Sequence, residues 1–266
     1  MQSATPACHP VSVIPDRAQV PAADQTLRML TFLAHQRGPV AARTIATALG
    51  VPRSTVYHLL GAMAQHGFVV HLAAERRWGL GTAAFELAGG YARQEPLARL
   101  GRPLVAALAD RAGESAHLAV MTGRDVLYIV EERAPRRPAL VTEVGVRLPA
   151  HLTATGRAML ALLPREQVRA LYPDASAFAD RTGRGPRSPA PLREVLRATR
   201  AQGFAVEDGE VTLGLRSVGV AVRDHADWPA AAIAITWPDE APHDAASLAA
   251  LAADAAAELG RRIGRR

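Results

Sequence analysis

Between Arg43 and His58 the chain places hydroxyl, aromatic and cationic side chains where a helix turns them to solvent. Val56, Leu59, Leu60 and Met63 follow the i, i+3, i+4, i+7 rule and form a buried stripe. At about 100° per residue, Ser54, Thr55, Tyr57 and His58 point away from that stripe, with Arg53 at its flank. An apolar face opposed by small hydroxyls, a ring and cationic donors suits a helix laid in the DNA major groove. An ordinary amphipathic helix pair has the same stripe.

A second set of candidate side chains lies on two strand-like stretches. Ser217, Gly219 and Ala221 alternate with Val218, Val220 and Val222, and Ala232, Ala234 and Thr236 alternate with Ile233, Ile235 and Trp237. Each strand therefore has one bulky face for packing and one face of small or hydroxylated residues. The small faces either leave room for a ligand, with Ser217 and Thr236 as polar handles, or accept a close-packed helix. Thr153-Ala154-Thr155-Gly156-Arg157 opens a helix, and free N–H groups beside hydroxyls make an anion site. Capping alone also accounts for Thr153 and Thr155 and is worth about 1 kcal/mol. The nine histidines lack metal-ligand spacing, so His117 and His151 read as structural.

The elements that must hold these residues follow from periodicity and punctuation. A first helix starts near Asp24 with Leu27, Leu30 and Leu33 inward, and Gly38-Pro39 stops it. Ile45, Ala46 and Leu49 share one face of a short helix that Gly50 ends, and Val51-Pro52 leads into the next, giving a helix-turn-helix. Phe68 to Leu72 and Arg77 to Leu80 form a hairpin, so the motif is winged, with Arg76 and Arg77 placed for phosphate or the minor groove. A connecting helix over Thr82 to Arg93 and a longer one from Leu97 to Arg111 follow. The pattern then turns α/β: strands at Ser115 to Met121 and Val126 to Arg133, and a third at Leu140 to Val144. A long loop spans Asp174 to Pro191, a helix Leu192 to Gln202 and a closing helix Ala245 to Ile263.

At 266 residues the chain has room for a small domain and a medium one. The net charge is +6, and all 31 basic residues are arginine, which with abundant alanine reflects GC-rich coding and makes no case for nucleic acid by itself. The single cysteine, Cys8, lies in a stretch rich in proline and small residues that reads as a disordered tail, so no disulfide framework or thiolate metal site is expected. No run of eighteen apolar residues and no leader pattern stands out, so a cytoplasmic protein without membrane contact is expected.

The order of motifs resembles the IclR family of bacterial transcriptional regulators from about Asp24 to Pro238. The markers are Ile45-Ala46…Leu49-Gly50…Ser54-Thr55, Trp78-Gly79-Leu80-Gly81, Gly113-Glu114-Ser115-Ala116-His117-Leu118, Leu148-Pro149-Ala150-His151, Gly156-Arg157-Ala158-Met159-Leu160-Ala161 and Gly203-Phe204-Ala205-Val206-Glu207-Asp208. The resemblance implies an α+β chain: a disordered tail (1–20), a winged helix-turn-helix (21–81), a linker helix (82–96) and a GAF- or profilin-like domain with a mainly antiparallel sheet (97–266). It implies a homodimer or homotetramer on palindromic operator DNA, controlled by a small organic-acid effector, with no cofactor and no catalysis. Arg43, Thr44, Arg53, Ser54, Thr55, Tyr57, His58, Arg76 and Arg77 are the expected DNA contacts. Family members hold the effector carboxylate at the segment matching Thr153, Ala154, Thr155 and Gly156. The positions matching Glu207, Leu215, Ser217, Ala234 and Thr236 line the rest. His58 stands where arginine is common, and Ala234 replaces one small hydroxyl, so neither base preference nor effector identity transfers.

Two rival readings remain. Gly79-Leu80-Gly81-Thr82-Ala83-Ala84 matches the glycine pattern of a dinucleotide-binding enzyme, but a polar hairpin strand precedes it and Arg99 and Arg102 stand where the acid belongs. A purely architectural DNA binder leaves the α/β half without a purpose.

Overall fold

A computed structural model describes residues 20–36, 38–87, 96–135 and 141–264. Residues 1–19 of the expected tail, with Cys8, and residues 88–95 of the expected linker lie outside the described residues. The chain divides into two compact units, Met1–Tyr91 and Ala92–Arg266.

In the first unit, α1 (Pro21–Ala34), α2 (Ala42–Leu49) and α3 (Arg53–Gln65) precede a hairpin of β1 (Val69–Leu72) and β2 (Arg77–Leu80). Gly50 ends α2 at φ +65°, a left-handed conformation that glycine adopts without Cβ strain, and donates its N–H to Ala46 O. Ile45, Val56, Leu60, Met63 and Trp78 are buried together. Trp78 also exchanges backbone hydrogen bonds with Val40 at 2.8 and 2.9 Å, which ties the wing to the segment before α2. The inward face of α1 differs from the expected leucine stripe. Met29 and Leu33 are buried, whereas Leu27 is 64% exposed. Residues 82–87 are helical.

The second unit is built on a six-stranded antiparallel sheet in the order β5-β4-β3-β8-β7-β6. Its strands are β3 (Ser115–Thr122), β4 (Asp125–Glu132), β5 (Arg147–Pro149), β6 (Ala205–Asp208), β7 (Leu215–Arg223) and β8 (Pro229–Pro238). The third strand is therefore Arg147–Pro149, not Leu140 to Val144. Leu140 lies outside the described residues, and 141–146 form a bend and a turn. The short edge strand β6 was not anticipated.

The bulky faces of β7 and β8 pack on α4 (Pro96–Ala112) and the C-terminal α8 (Ala245–Gly264). Val218, Val222, Ile233 and Ile235 meet Val105, Leu108, Leu248 and Leu259 there. On the opposite face lie α5 (Ala154–Leu162), α6 (Arg165–Leu171) and α7 (Pro189–Gln202), with Met159, Leu160, Val168, Leu192 and Leu196 in the core. The expected long loop is partly structured. A 3-10 turn at Ala175–Ala177 and the early start of α7 shorten it, and Phe178 packs on Tyr172 and His151.

Candidate functional site

The first candidate surface is α3 with the wing. Val56, Leu60 and Met63 bury one side of the helix, so Arg53, Ser54, Tyr57 and His58 are exposed on the other and Thr55 is half-buried. Tyr57 is 50% exposed on that side. Arg43 and Thr44 are exposed in the first turn of α2, and Arg76 sits at the wing tip with φ +52°. Arg77 is exposed as well, but its guanidinium donates to Pro39 O at 3.3 Å, so part of its donor set is committed to the fold.

The second is a recess in the small-residue face of the sheet. The start of α5 supplies Thr153, Ala154 and Thr155. Thr153 caps that helix, its Oγ1 accepting from Gly156 N–H at 3.0 Å. That leaves the N–H groups of Ala154 and Thr155, ahead of the first helical acceptor, at the recess. Leu215 and Ser217 come from β7, Ala234 and Thr236 from β8, and Glu207 from β6.

Of the effector positions expected from the sequence, Gly156 alone does not line the recess. It is a packing residue: a Cβ there would stand 2.2 Å from Ala150 O. Gly219 plays the same part from the sheet, since its Cβ would stand 2.6 Å from Ala154 C and O. The small face thus does two jobs: Gly219 admits the helix, while Ser217, Ala234 and Thr236 line the recess.

Four polar side chains on neighbouring strands form one row. Glu207 pairs with Ser217 across β6 and β7, and Ser217 with Thr236 across β7 and β8. Ser217 Oγ donates to Glu207 Oε2 at 2.8 Å, and Val211 N–H donates to Glu207 Oε1 at 2.9 Å. Thr236 Oγ1 lies 2.9 Å from Ser217 Oγ and 3.2 Å from His117 Nε2. Burial pushes the Glu207 carboxyl up, opposed by its two hydrogen-bond donors and by Arg157. Burial holds His117 down at about 4, so its ring is neutral at ordinary pH.

His117, Tyr128, Thr142 and Val211 line the recess without having been singled out as ligands from the sequence. His117 follows Ser115 at the strand period of two, so alternation could have placed the pair on one face. Only the pairing of β3 with β8 brings that face to the recess. Tyr128 Oη lies 3.4 Å from Thr155 Oγ1, beside the helix start. His151, by contrast, is spent on structure, with Nε2 3.0 Å from Ala179 O. Arg157 is buried and donates to His151 O, Val206 O and Glu210, tying α5 to β6. Among the described residues no group of His, Cys, Asp and Glu has the makings of a metal site, and no helix is long and apolar enough to cross a membrane.

Two family models match the chain. The IclR helix-turn-helix domain covers residues 22–73, and the C-terminal domain of bacterial IclR transcriptional regulators covers 89–261. The transcriptional repressor IclR of Escherichia coli is 31% identical over 86% of this chain and 84% of its own length. Among solved structures, an IclR transcriptional regulator from Alicyclobacillus acidocaldarius superposes with a TM-score of 0.83 at 22% identity, over 93% of this chain and all of that one. An IclR homologue from Microbacterium hydrocarbonoxydans, solved with 4-hydroxybenzoate, superposes at 0.76 and 20% identity, over 91% of this chain and 98% of that one.

Proposed function

Since this chain belongs to the IclR family of bacterial transcriptional regulators, we propose that it binds a palindromic operator and that a small organic acid controls the binding. In this reading residues 21–81 read DNA, 97–266 sense the effector and the stretch between them links the two. Arg53, Ser54, Thr55, Tyr57 and His58 face bases or flanking phosphates in the major groove. Arg43, Thr44, Arg76 and Arg77 hold phosphates, Arg77 with the donors it does not give to Pro39. A regulator of this kind works where its operator is, in the cytoplasm.

The effector reading rests on the row Glu207–Ser217–Thr236–His117 meeting a helix N-terminus in one recess. An acid's carboxylate suits the free N–H groups of Ala154 and Thr155. The 4-hydroxybenzoate complex of the Microbacterium homologue supports an organic acid as the ligand class. The same row argues for binding over catalysis. Ser217 donates to a carboxylate instead of an imidazole, and an imidazole held at about 4 is a poor general base.

Self-association as a homodimer or homotetramer gives two readers for two half-sites. Phe85 and Leu87, 82% and 65% exposed, and the exposed Leu27 offer apolar surface for it.

The test is an operator selected from random DNA with the purified protein, followed by fluorescence polarisation with and without candidate acids. An effector should change operator affinity through a coupling of about 1–3 kcal/mol. Ser217→Val/Thr236→Val should lose the acid and keep apo operator binding. Normal operator binding by the separate alanine variants of Arg53, Thr55 and His58 would sink the helix assignment.

A further inference from the structure

We propose that Glu207, acting through Ser217 and Thr236, fixes the proton of His117 on Nε2, so that the recess selects a hydroxycarboxylate over a plain carboxylate or a dicarboxylate. The inference rests on the effector reading of this recess and adds the class of acid. It makes His117 a specificity-determining residue.

Each group in the row has a fixed number of protons to give. With Glu207 ionised, a state that the Val211 N–H, the Ser217 hydroxyl and Arg157 favour against its burial, Oε1 accepts Val211 N–H and Oε2 accepts the Ser217 hydroxyl, so both oxygens act as acceptors. A hydroxyl has one proton. Ser217, having given its proton to Glu207, can only accept across the 2.9 Å contact with Thr236. Thr236 therefore donates to Ser217 and has no proton left for His117. The 3.2 Å contact between Thr236 and His117 Nε2 is a hydrogen bond only if the ring donates. His117 is neutral, so a proton on Nε2 leaves Nδ1 as a bare acceptor.

That Nδ1 is buried and has no partner among the described residues, on a side chain that is 2% exposed and lines the recess. A buried acceptor left unpaired carries a desolvation penalty that a ligand donor removes. All the protons of the row are spent, so this wall offers lone pairs only. A ligand carboxylate belongs at the helix start, and what the wall asks for is an O–H. A second carboxylate there would meet the charge of Glu207 at low dielectric, with no proton available from the row. The Thr142 Oγ1, buried and likewise without a partner, is free to accept or donate to the same ligand.

The count also fixes what Glu207→Gln does. Val211 N–H still needs an oxygen, so the amide oxygen stays on that side and the NH2 group faces Ser217. Ser217 must then accept, donate to Thr236, and Thr236 must donate to His117 Nε2, which moves the ring proton to Nδ1. One isosteric change reverses the row.

The test has two readouts on the full chain. Two-bond 1H–15N spectra of 15N-histidine protein, with His117→Gln identifying the signal, report the tautomer without any ligand. The expected result is Nε2–H in wild type and Nδ1–H in Glu207→Gln. An Nδ1–H tautomer in wild type overturns the inference, even where a variant fails to fold. Calorimetry then compares benzoate, 4-hydroxybenzoate and terephthalate, and butyrate, 4-hydroxybutyrate and succinate. In at least one series the hydroxy acid should bind about tenfold tighter than both companions, and in Glu207→Gln the dicarboxylate should overtake it. Binding of an acid in any other order overturns the selection while leaving the effector reading in place. Failure of all six acids to bind removes the effector reading and this inference together.

Discussion

The burial of His117 makes stability depend on pH in a way one substitution can isolate. In the folded protein its imidazole is held at about 4, against 6.5 for the free side chain. The folded state thus stays neutral where the unfolded chain takes up a proton. Stability from this residue is intact above about pH 6.5, falls as pH drops through the window from 6.5 to about 4, and is constant below it. Between about pH 7.5 and about pH 5 the linkage relation gives a loss of about 2 kcal/mol from this one group. His117→Gln keeps a donor toward Thr236 and removes the titration, so its stability should lose about 2 kcal/mol less over the same interval. Urea unfolding, followed by the buried Trp237 with Trp78 and Trp228 changed to phenylalanine, reads the second unit. The contributions of His151 and the carboxyls cancel in the difference between wild type and variant. Equal loss in both proteins would refute the neutral, buried imidazole and the tautomer argument built on it.

Gly219→Ala puts a Cβ against the backbone of Ala154 and should cost about 1–3 kcal/mol, displacing the start of α5. Calorimetry should show weakened acid binding while polarisation shows apo operator binding unchanged. Arg157→Met removes the buried guanidinium that satisfies His151 O, Val206 O and Glu210, and thermal unfolding should report a loss of roughly 3–5 kcal/mol. Gly50→Ala meets no atom within 4 Å but must hold φ +65°, so its cost is backbone strain alone, about 1–2 kcal/mol by denaturation of the first unit. Arg76→Ala should weaken binding to all DNA sequences alike and lower the salt slope by about one, whereas a His58 variant should change the preferred base at one position.

What the sequence determined by itself is what repeats locally. The stripe of α3, the Gly50 stop, the hairpin between Leu72 and Arg77 and the alternation along β7 and β8 each depend on periods of 3.6 or 2 within a few residues. The family follows because those short signals stand in one order along the chain. Tertiary structure decided what depends on partners far away. The inward face of α1 settled on Met29 because both leucine and methionine fill a core, and the neighbouring helices choose between adjacent turns. The third strand fell at Arg147–Pro149 because pairing with β4 fixed it, where local propensity favoured the valines before it. Gly156 and Gly219 owe their roles to backbones that approach from other segments. His117 reaches Thr236 across 119 residues, through the register of β3 on β8. Strand period states which residues share a face, but not which strands lie side by side, and that pairing alone turns a core-like histidine into part of the recess.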